Sequence, residues 1–227
     1  GALYSAVAGH FAVARIASRS AQPSLIATVG LSLFLMEYLR LAQSPVTVWI
    51  PPVWSDTLPL LRAGSFVVGV TPVSLVTSGV AAAAAAALLT TMHRSGFGRA
   101  WRAYADDPKA AALSGVDGRR LLGGTLALAG AMAGLAGTLV VIQYGGLGFA
   151  GGFQLGLKAL IAAVFGGIGS VAGALVGGIA IGAFETLWSA YFPIEMRDVA
   201  LYASLIAVLA FRPGGLLGSR DPGPREV

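Results

Sequence analysis

From Leu121 to Ile142 the chain carries no charged side chain, and from Leu157 to Tyr191 it carries only Lys158 and Glu185. Runs of this length and character decide the fold class before any other feature is weighed. About 20 consecutive apolar residues cross the ~30 Å hydrocarbon core of a bilayer as a helix. Within that core only a helix or a closed barrel satisfies its own amides and carbonyls. A barrel is written in short segments of alternating polarity, whereas these runs are continuous. Composition agrees. The 227 residues are 56% hydrophobic and 11% charged, against roughly 25% charged in a soluble domain, and mean hydropathy is +0.78. The chain reads as all-α, a polytopic helical membrane protein with about five to six transmembrane segments, one of them broken or re-entrant.

The other totals narrow the chemistry. There are 32 glycines, and small residues let membrane helices approach closely. With no cysteine, disulfides and thiolate metal sites are excluded. The net charge of +5 is read as a cytoplasmic loop signal rather than nucleic-acid affinity, because basic residues cluster on the inner side of membrane proteins.

In chain order, Gly1 to Ala14 reads as the last turns of a span that begins in a longer N-terminal part, with a basic loop at Arg15 and Arg19. Ser24 to Ala42 is a complete span, with Glu37 and Arg40 one turn apart and able to pair. Gln43 to Ser65 holds Pro45, Pro51, Pro52 and Pro59 with Trp49 and Trp54, and is expected at the membrane surface as a loop. Phe66 to Met92 reads as the next span, including the alanine run Ala81 to Ala87, and Leu121 to Ile142 as another, with Gly130 and Gly134 at GxxxG spacing. A glycine-rich turn is expected from Tyr144 to Gly152.

Leu157 to Tyr191 as one helix would measure roughly 50 Å at 1.5 Å per residue, too long for the core. Gly166-Gly167-Ile168-Gly169-Ser170 is the place to break it, since each glycine weakens a helix by about 1 kcal/mol relative to alanine. A half-helix, Leu157 to Phe165, and a full helix, Val171 to Tyr191, are expected, with a re-entrant path satisfying the parity of crossings. Asp198 to Phe211 is a short last span, and residues 219–227 form a polar tail after a membrane domain of residues 1–218.

The longest polar run lies between two spans, inside a loop of residues 93–120 that holds Arg94, Arg99, Arg102, Lys109, Arg119 and Arg120. The positive-inside rule puts this loop, the N-terminal loop and the tail in the cytoplasm. Arg99, Arg102 and Asp106 fall near one helical face, Trp101 and Tyr104 near another. Asp107-Pro108 reads as an N-cap followed by proline at the first helical position, and Gly115 as the stop of a short helix, Pro108 to Leu113. Two readings stand side by side: docking of an intracellular partner, or an amphipathic element resting on membrane lipid.

Gly98 to Asp117, Leu121 to Gly137, Gly166 to Ser170 and the ending Phe211-Arg212-Pro213-Gly214-Gly215-Leu216-Leu217-Gly218 occur in one order across most of the chain. Together they resemble the permease subunits of bacterial ABC importers for branched-chain amino acids, the first of that system's two related permeases above all. The resemblance implies a multi-pass protein of the bacterial inner membrane. It implies as partners ABC ATPase subunits, a second permease (identical or homologous) and a periplasmic solute-binding protein. It also makes the 93–120 loop a coupling element, with Arg99, Arg102, Asp106, Asp107, Pro108, Ala111 and Gly115 as ATPase contacts. The family carries further N-terminal spans that this sequence does not show.

No G-x-x-x-x-G-K-[ST] run occurs; Gly145 to Gly152 lacks the lysine and hydroxyl a P-loop uses on phosphate and Mg²⁺. Any ATP and Mg²⁺ are therefore expected on the partner ATPase, with no cofactor and no catalytic or metal-binding residues here. Gly166, Gly167, Gly169, Ser170 and Glu185 are the pathway candidates, because broken helices offer backbone carbonyls to passing substrates. Gly173/Gly177 and Gly178/Gly182 read as packing faces, Lys158 as snorkelling outward, and Trp188 and Tyr191 as a headgroup belt. The competing functions are a permease of the same machine for sugars, urea or amides, and a stand-alone secondary transporter or channel. The latter requires a coupling-ion carboxylate, for which Glu37 and Glu185 are the intramembrane choices.

Overall fold

The computed structural model describes residues 21–43, 49, 51, 58–63, 66–146, 148, 151–167, 169–212 and 214–217. The expected span over Gly1 to Ala14, the loop basic residues Arg15 and Arg19, and the tail of residues 219–227 lie outside them. The described elements are α1 (Ala21–Gln43), β1 (Leu58–Ala63), β2 (Phe66–Val70), α2 (Pro72–Arg94), α3 (Gly96–Asp106), α4 (Pro108–Leu113), α5 (Gly118–Tyr144), α6 (Gly151–Gly166), α7 (Val171–Tyr191), a 3₁₀ turn (Ile194–Met196) and α8 (Arg197–Phe211). Three of them, α2, α5 and α7, are long and apolar enough to cross a membrane. Few of their side chains are covered by the chain itself, and Phe34, Ile179, Ile206 and Phe211 are among the exposed large apolar residues. In water such a surface would aggregate; against lipid it is at home.

The chain divides into two compact units, Gly1–Phe153 and Gln154–Val227. In the first, Glu37 and Arg40 pair along α1 as their spacing predicts, with Arg40 Nε donating to Glu37 Oε2 at 2.9 Å. The span expected from Phe66 is corrected. Residues 66–70 are a strand, antiparallel to β1 from Ala63↔Phe66 to Leu58↔Val70, with a register irregularity between Pro59 and Leu61. The surface loop expected up to Ser65 likewise contains β1. An apolar run does not by itself distinguish strand from helix. The decisive signal is Thr71-Pro72: the residue before proline is pushed into extended geometry, and Thr71 sits at φ −80°, ψ 140° with Pro72 opening α2. Proline within β1 is accommodated where the ladder is irregular.

α2 and α5 are joined by a polar contact, Thr77 Oγ1 donating to Gln143 Oε1 at 3.1 Å. Gly145, at φ 78°, ends α5 by accepting the left-handed conformation and returning its N–H to Val141 O. This is the conformation glycine adopts without steric cost.

α6, most of which belongs to the second unit, begins at Gly151, six residues earlier than the half-helix expected from Leu157; Gly151 and Gly152 lie inside the helix rather than in a turn. The predicted break is present. α6 ends at Gly166 and α7 starts at Val171, with Gly167 and Gly169 at φ 117° and 92°. The chain reverses there: Gly166 lies against Gly173, and Ala162 against Gly177, so α6 and α7 are antiparallel arms of a hairpin. Ile161, Ala162, Ile181 and Leu201 form its buried core, with Phe165, Phe184 and Leu205 packed around it.

Candidate functional site

Two places concentrate the conformational constraints of this chain: the elbow from Ser95 to Asp117 in the first unit and the α6–α7 turn in the second.

At the elbow, Ser95 serves two helices. Its N–H closes α2 on Thr91 O at 3.2 Å, and its hydroxyl accepts from Gly98 N at 3.1 Å, capping α3. The chain turns so sharply that a Cβ on Gly98 would lie 2.0 Å from Met92 O and 2.8 Å from Met92 Cα. Only glycine fits. Arg102 then donates to the same Met92 carbonyl, and Arg99 donates to Arg94 O at 3.4 Å. Cations at a helix C-terminus also favour its dipole. Arg99 and Arg102 thus fasten α3 to the end of α2, a structural task the sequence reading did not assign to them.

The other face of α3 packs on α5. The Tyr104 ring lies where a Cβ on Gly118 would fall, 2.7 Å from its Cε2, and Phe97 lies likewise over Gly124 at 2.9 Å. Glycines on α5 therefore seat two of the three aromatics of α3.

The predicted capped joint forms. Asp107 Oδ1 accepts from Lys109 N at 2.8 Å and Ala110 N at 3.1 Å, with Pro108 at the first position of α4. These N–H donors, Ala110 first and Lys109 second, hold the Asp107 carboxyl below its ordinary value of 3.8. The folded pKa is depressed, so the cap contributes stability above the unfolded value and loses it as pH falls through the folded one. Asp107→Ala is expected to speed amide exchange at Lys109 and Ala110 severalfold at neutral pH. Asp107→Asn, which keeps the acceptor oxygen, retains protection and removes the acid-dependent loss below pH 3.8. Exchange mass spectrometry across residues 105–116 checks both.

α4 ends in a Schellman arrangement: Gly115, at φ 87°, donates to Ala112 O, and Val116 N donates to Ala111 O, each at 3.0 Å, so the last carbonyls are satisfied. Asp117 Oδ1 caps α5 through Arg119 N at 2.9 Å and Arg120 N at 3.3 Å. Of the predicted contact residues, Arg99, Arg102, Asp106, Asp107, Pro108 and Gly115 are exposed, while Ala111 is 4% exposed and faces inward. The exposed large apolar side chain of α4 is Leu113, at 91%, which sequence reasoning passed over.

At the α6–α7 turn, Ser170 caps α7 by accepting from Gly173 N at 3.0 Å. Added Cβ atoms on Gly166 and Gly177 would fall 1.9 Å from Gly173 O and 2.1 Å from Ala162 O, so Gly173 and Gly177 form a packing face as their spacing predicts. Gly178 and Gly182 have nothing within 4 Å. Gly166 and Gly167 are buried and Gly169 is exposed. The carbonyls of Phe165 and Gly166 are taken by Leu216 N at 2.9 Å and Leu217 N at 2.8 Å. The glycine break and the C-terminal run, far apart in the sequence, thus meet in space.

Glu185 does not stand alone and Lys158 does not snorkel outward. Lys158 Nζ lies 2.5 Å from Glu185 Oε1 and 3.6 Å from Asp198 Oδ1, joining α6, α7 and α8. An intramembrane charge is best accommodated by an opposite one, and antiparallel arms bring residues 27 apart into contact. Lys158→Ala is expected to destabilise the hairpin by about 1–3 kcal/mol, below the ~3–5 kcal/mol of a fully buried broken pair because both side chains are part-exposed. The swap Lys158→Glu with Glu185→Lys restores part of that loss. Thermal unfolding of the purified protein in detergent reads the difference. Trp188 closes the far end of α7 by donating to Pro193 O at 3.2 Å and stacking on Phe192 with ring centroids 4.4 Å apart.

Residues 1–209 match the family model described as the branched-chain amino acid transport system / permease component. The chain is 37% identical over 223 residues to the high-affinity branched-chain amino acid transport system permease protein LivH of Escherichia coli K12, covering 96% of this chain and 72% of that protein. It is 34% identical over 202 residues to BraD, the corresponding permease protein of Pseudomonas aeruginosa, covering 86% and 63%. A fructose import permease protein, FrcC of Rhizobium meliloti, is 33% identical over 100 residues, covering 41% of this chain and 28% of that protein. No solved structure matches. A family match over almost the entire chain, together with apolar helices built for a bilayer, places this multi-pass membrane protein in the permease-component family of branched-chain amino acid transport systems.

Proposed function

We propose that this chain is a pore-forming subunit of an ATP-driven importer in the bacterial inner membrane, passing branched-chain amino acids delivered by a periplasmic binding protein. ATP and Mg²⁺ are bound on separate ATPase subunits, and a second permease, identical or homologous, completes the pore. The elbow is the coupling element, working by alternating access.

The observation that carries the reading is mechanical. α3 and α4 form a short, capped unit fixed to α2 through Gly98, Arg99 and Arg102 and to α5 through Phe97 and Tyr104. A push on the exposed Leu113 at the end of α4 is therefore delivered to two membrane helices at once. Packed interiors transmit displacement because they resist compression. Arg99 and Arg102 brace the unit against the end of α2 while remaining exposed beside Asp106, Asp107, Pro108 and Leu113, and together these residues form the surface offered to the ATPase.

Pairing of the carboxylates speaks against a stand-alone secondary transporter. Glu37 is held by Arg40 and Glu185 by Lys158, so each of the two intramembrane carboxylates that reading relies on already has a cation. The limited likeness to a fructose permease keeps sugars as the second reading. Reconstituted with its ATPase and binding protein, the complex is expected to take up labelled leucine with competition from isoleucine and valine. Competition by fructose or urea instead, or ATP-independent uptake, contradicts the proposal.

A further inference from the structure

The C-terminal run does more than end the chain. After α8 it turns back, and Leu216 and Leu217 donate their amides to the last carbonyls of α6, Phe165 and Gly166. Gly215, at φ 77°, presses so closely on the turn that a Cβ there would lie 2.6 Å from Gly167 Cα and 2.8 Å from Val164 O. Carbonyls at a helix end have no partner within their own helix, so the returning segment completes α6 as a strand completes a sheet edge.

This contact has a topological consequence. The turn and the segment after α8 must lie at one depth in the membrane. α7 rises from the turn for 21 residues, about 31 Å at 1.5 Å per residue, and ends at Trp188, Tyr191 and Phe192, aromatic residues of the kind that mark a headgroup level. A turn at the bilayer midplane would thrust those aromatics far into water. Arg212, the charged residue that closes α8, marks the opposite level a few residues before the strap.

We propose that residues 214–217 are a strap locking the α6–α7 turn on the membrane face from which the tail emerges, so that α7 and α8 each cross in full and the α6–α7 break is not a re-entrant turn. The absence of cysteine from the sequence makes the test direct. Gly169→Cys, Arg212→Cys and Ile194→Cys, each introduced singly, are treated with a membrane-impermeant maleimide in right-side-out and inverted vesicles carrying the full transporter. Ser170→Cys replaces Gly169→Cys if the positive φ at Gly169 prevents accumulation. The expected result is labelling of positions 169 (or 170) and 212 from one face and of 194 from the other. The proposal is overturned if the turn position labels with 194, or is protected from both faces yet labels in detergent. It is equally overturned if 212 and 194 label from the same face. Uptake is not the readout, so the outcome is independent of the substrate and coupling readings above.

Discussion

Gly98→Ala is expected to uncouple the transporter, cutting substrate uptake at least about tenfold while the chain still reaches the membrane. The added carbon would lie 2.0 Å from Met92 O and 2.5 Å from Met92 C, where ordinary contact begins near 3.4 Å. Both atoms are backbone, so no side chain can rotate out of the way. The only relief is for α3 to pull away from α2, which breaks the Arg102 contact to Met92 O and lifts Phe97 and Tyr104 from Gly124 and Gly118. Overpacking of this kind costs typically ~1–3 kcal/mol, here spent on the orientation of one short unit rather than on the spans. Gly96→Ala, whose nearest neighbour is the flexible end of Arg99 at 3.7 Å, is the matched control and is expected to be near neutral. Uptake in vesicles, normalised to the amount of permease, reads the contrast.

The second large effect belongs to the hairpin. Gly166→Ala places a carbon 1.9 Å from Gly173 O, and Gly177→Ala one 2.1 Å from Ala162 O. Either forces the α6 and α7 backbones apart, loosening the core of Ile161, Ala162, Ile181 and Leu201. Separation also displaces the carbonyls that receive Leu216 and Leu217, and a buried carbonyl left unpaired costs a further ~1–3 kcal/mol. The expected result is a severalfold fall in steady-state membrane level. Gly178→Ala and Gly182→Ala, with open space at the added carbon, leave that level unchanged. Immunoblots of isolated membranes distinguish the two pairs.

What the sequence reveals and what it withholds follow from the range of each interaction. The capped joint at Asp107-Pro108, the stop at Gly115 and the break at Gly166 to Ser170 are local signals, in which a side chain or a missing Cβ acts on backbone a few residues away. They are legible and they are in place. The strand at residues 66–70 was legible too, through Thr71-Pro72, but an apolar count overrides that cue. The Lys158–Glu185 pair is invisible until the chain is known to reverse between them. Least legible is the strap: Leu216 and Leu217 act through backbone amides, which every residue except proline carries, so their identities announce nothing. At the elbow, Arg99 and Arg102 illustrate a different gap. Their bonds to Arg94 O and Met92 O depend on how sharply the chain turns at Gly98, which the residue types alone do not state.

Leu113 gives the central claim its most direct measurement. It is 91% exposed on a capped helix, and burial against a docked ATPase would stabilise such a complex by about 1.5–3 kcal/mol. Leu113→Asp, expressed with the ATPase subunits and purified through a tag on the permease, tests whether that surface is where the ATPase docks. The expected result is that ATPase retention and substrate-stimulated ATP hydrolysis fall together by about tenfold or more, at an unchanged membrane level and thermal stability of the permease. Full retention of the ATPase, with uptake and hydrolysis as in the unsubstituted protein, would contradict it.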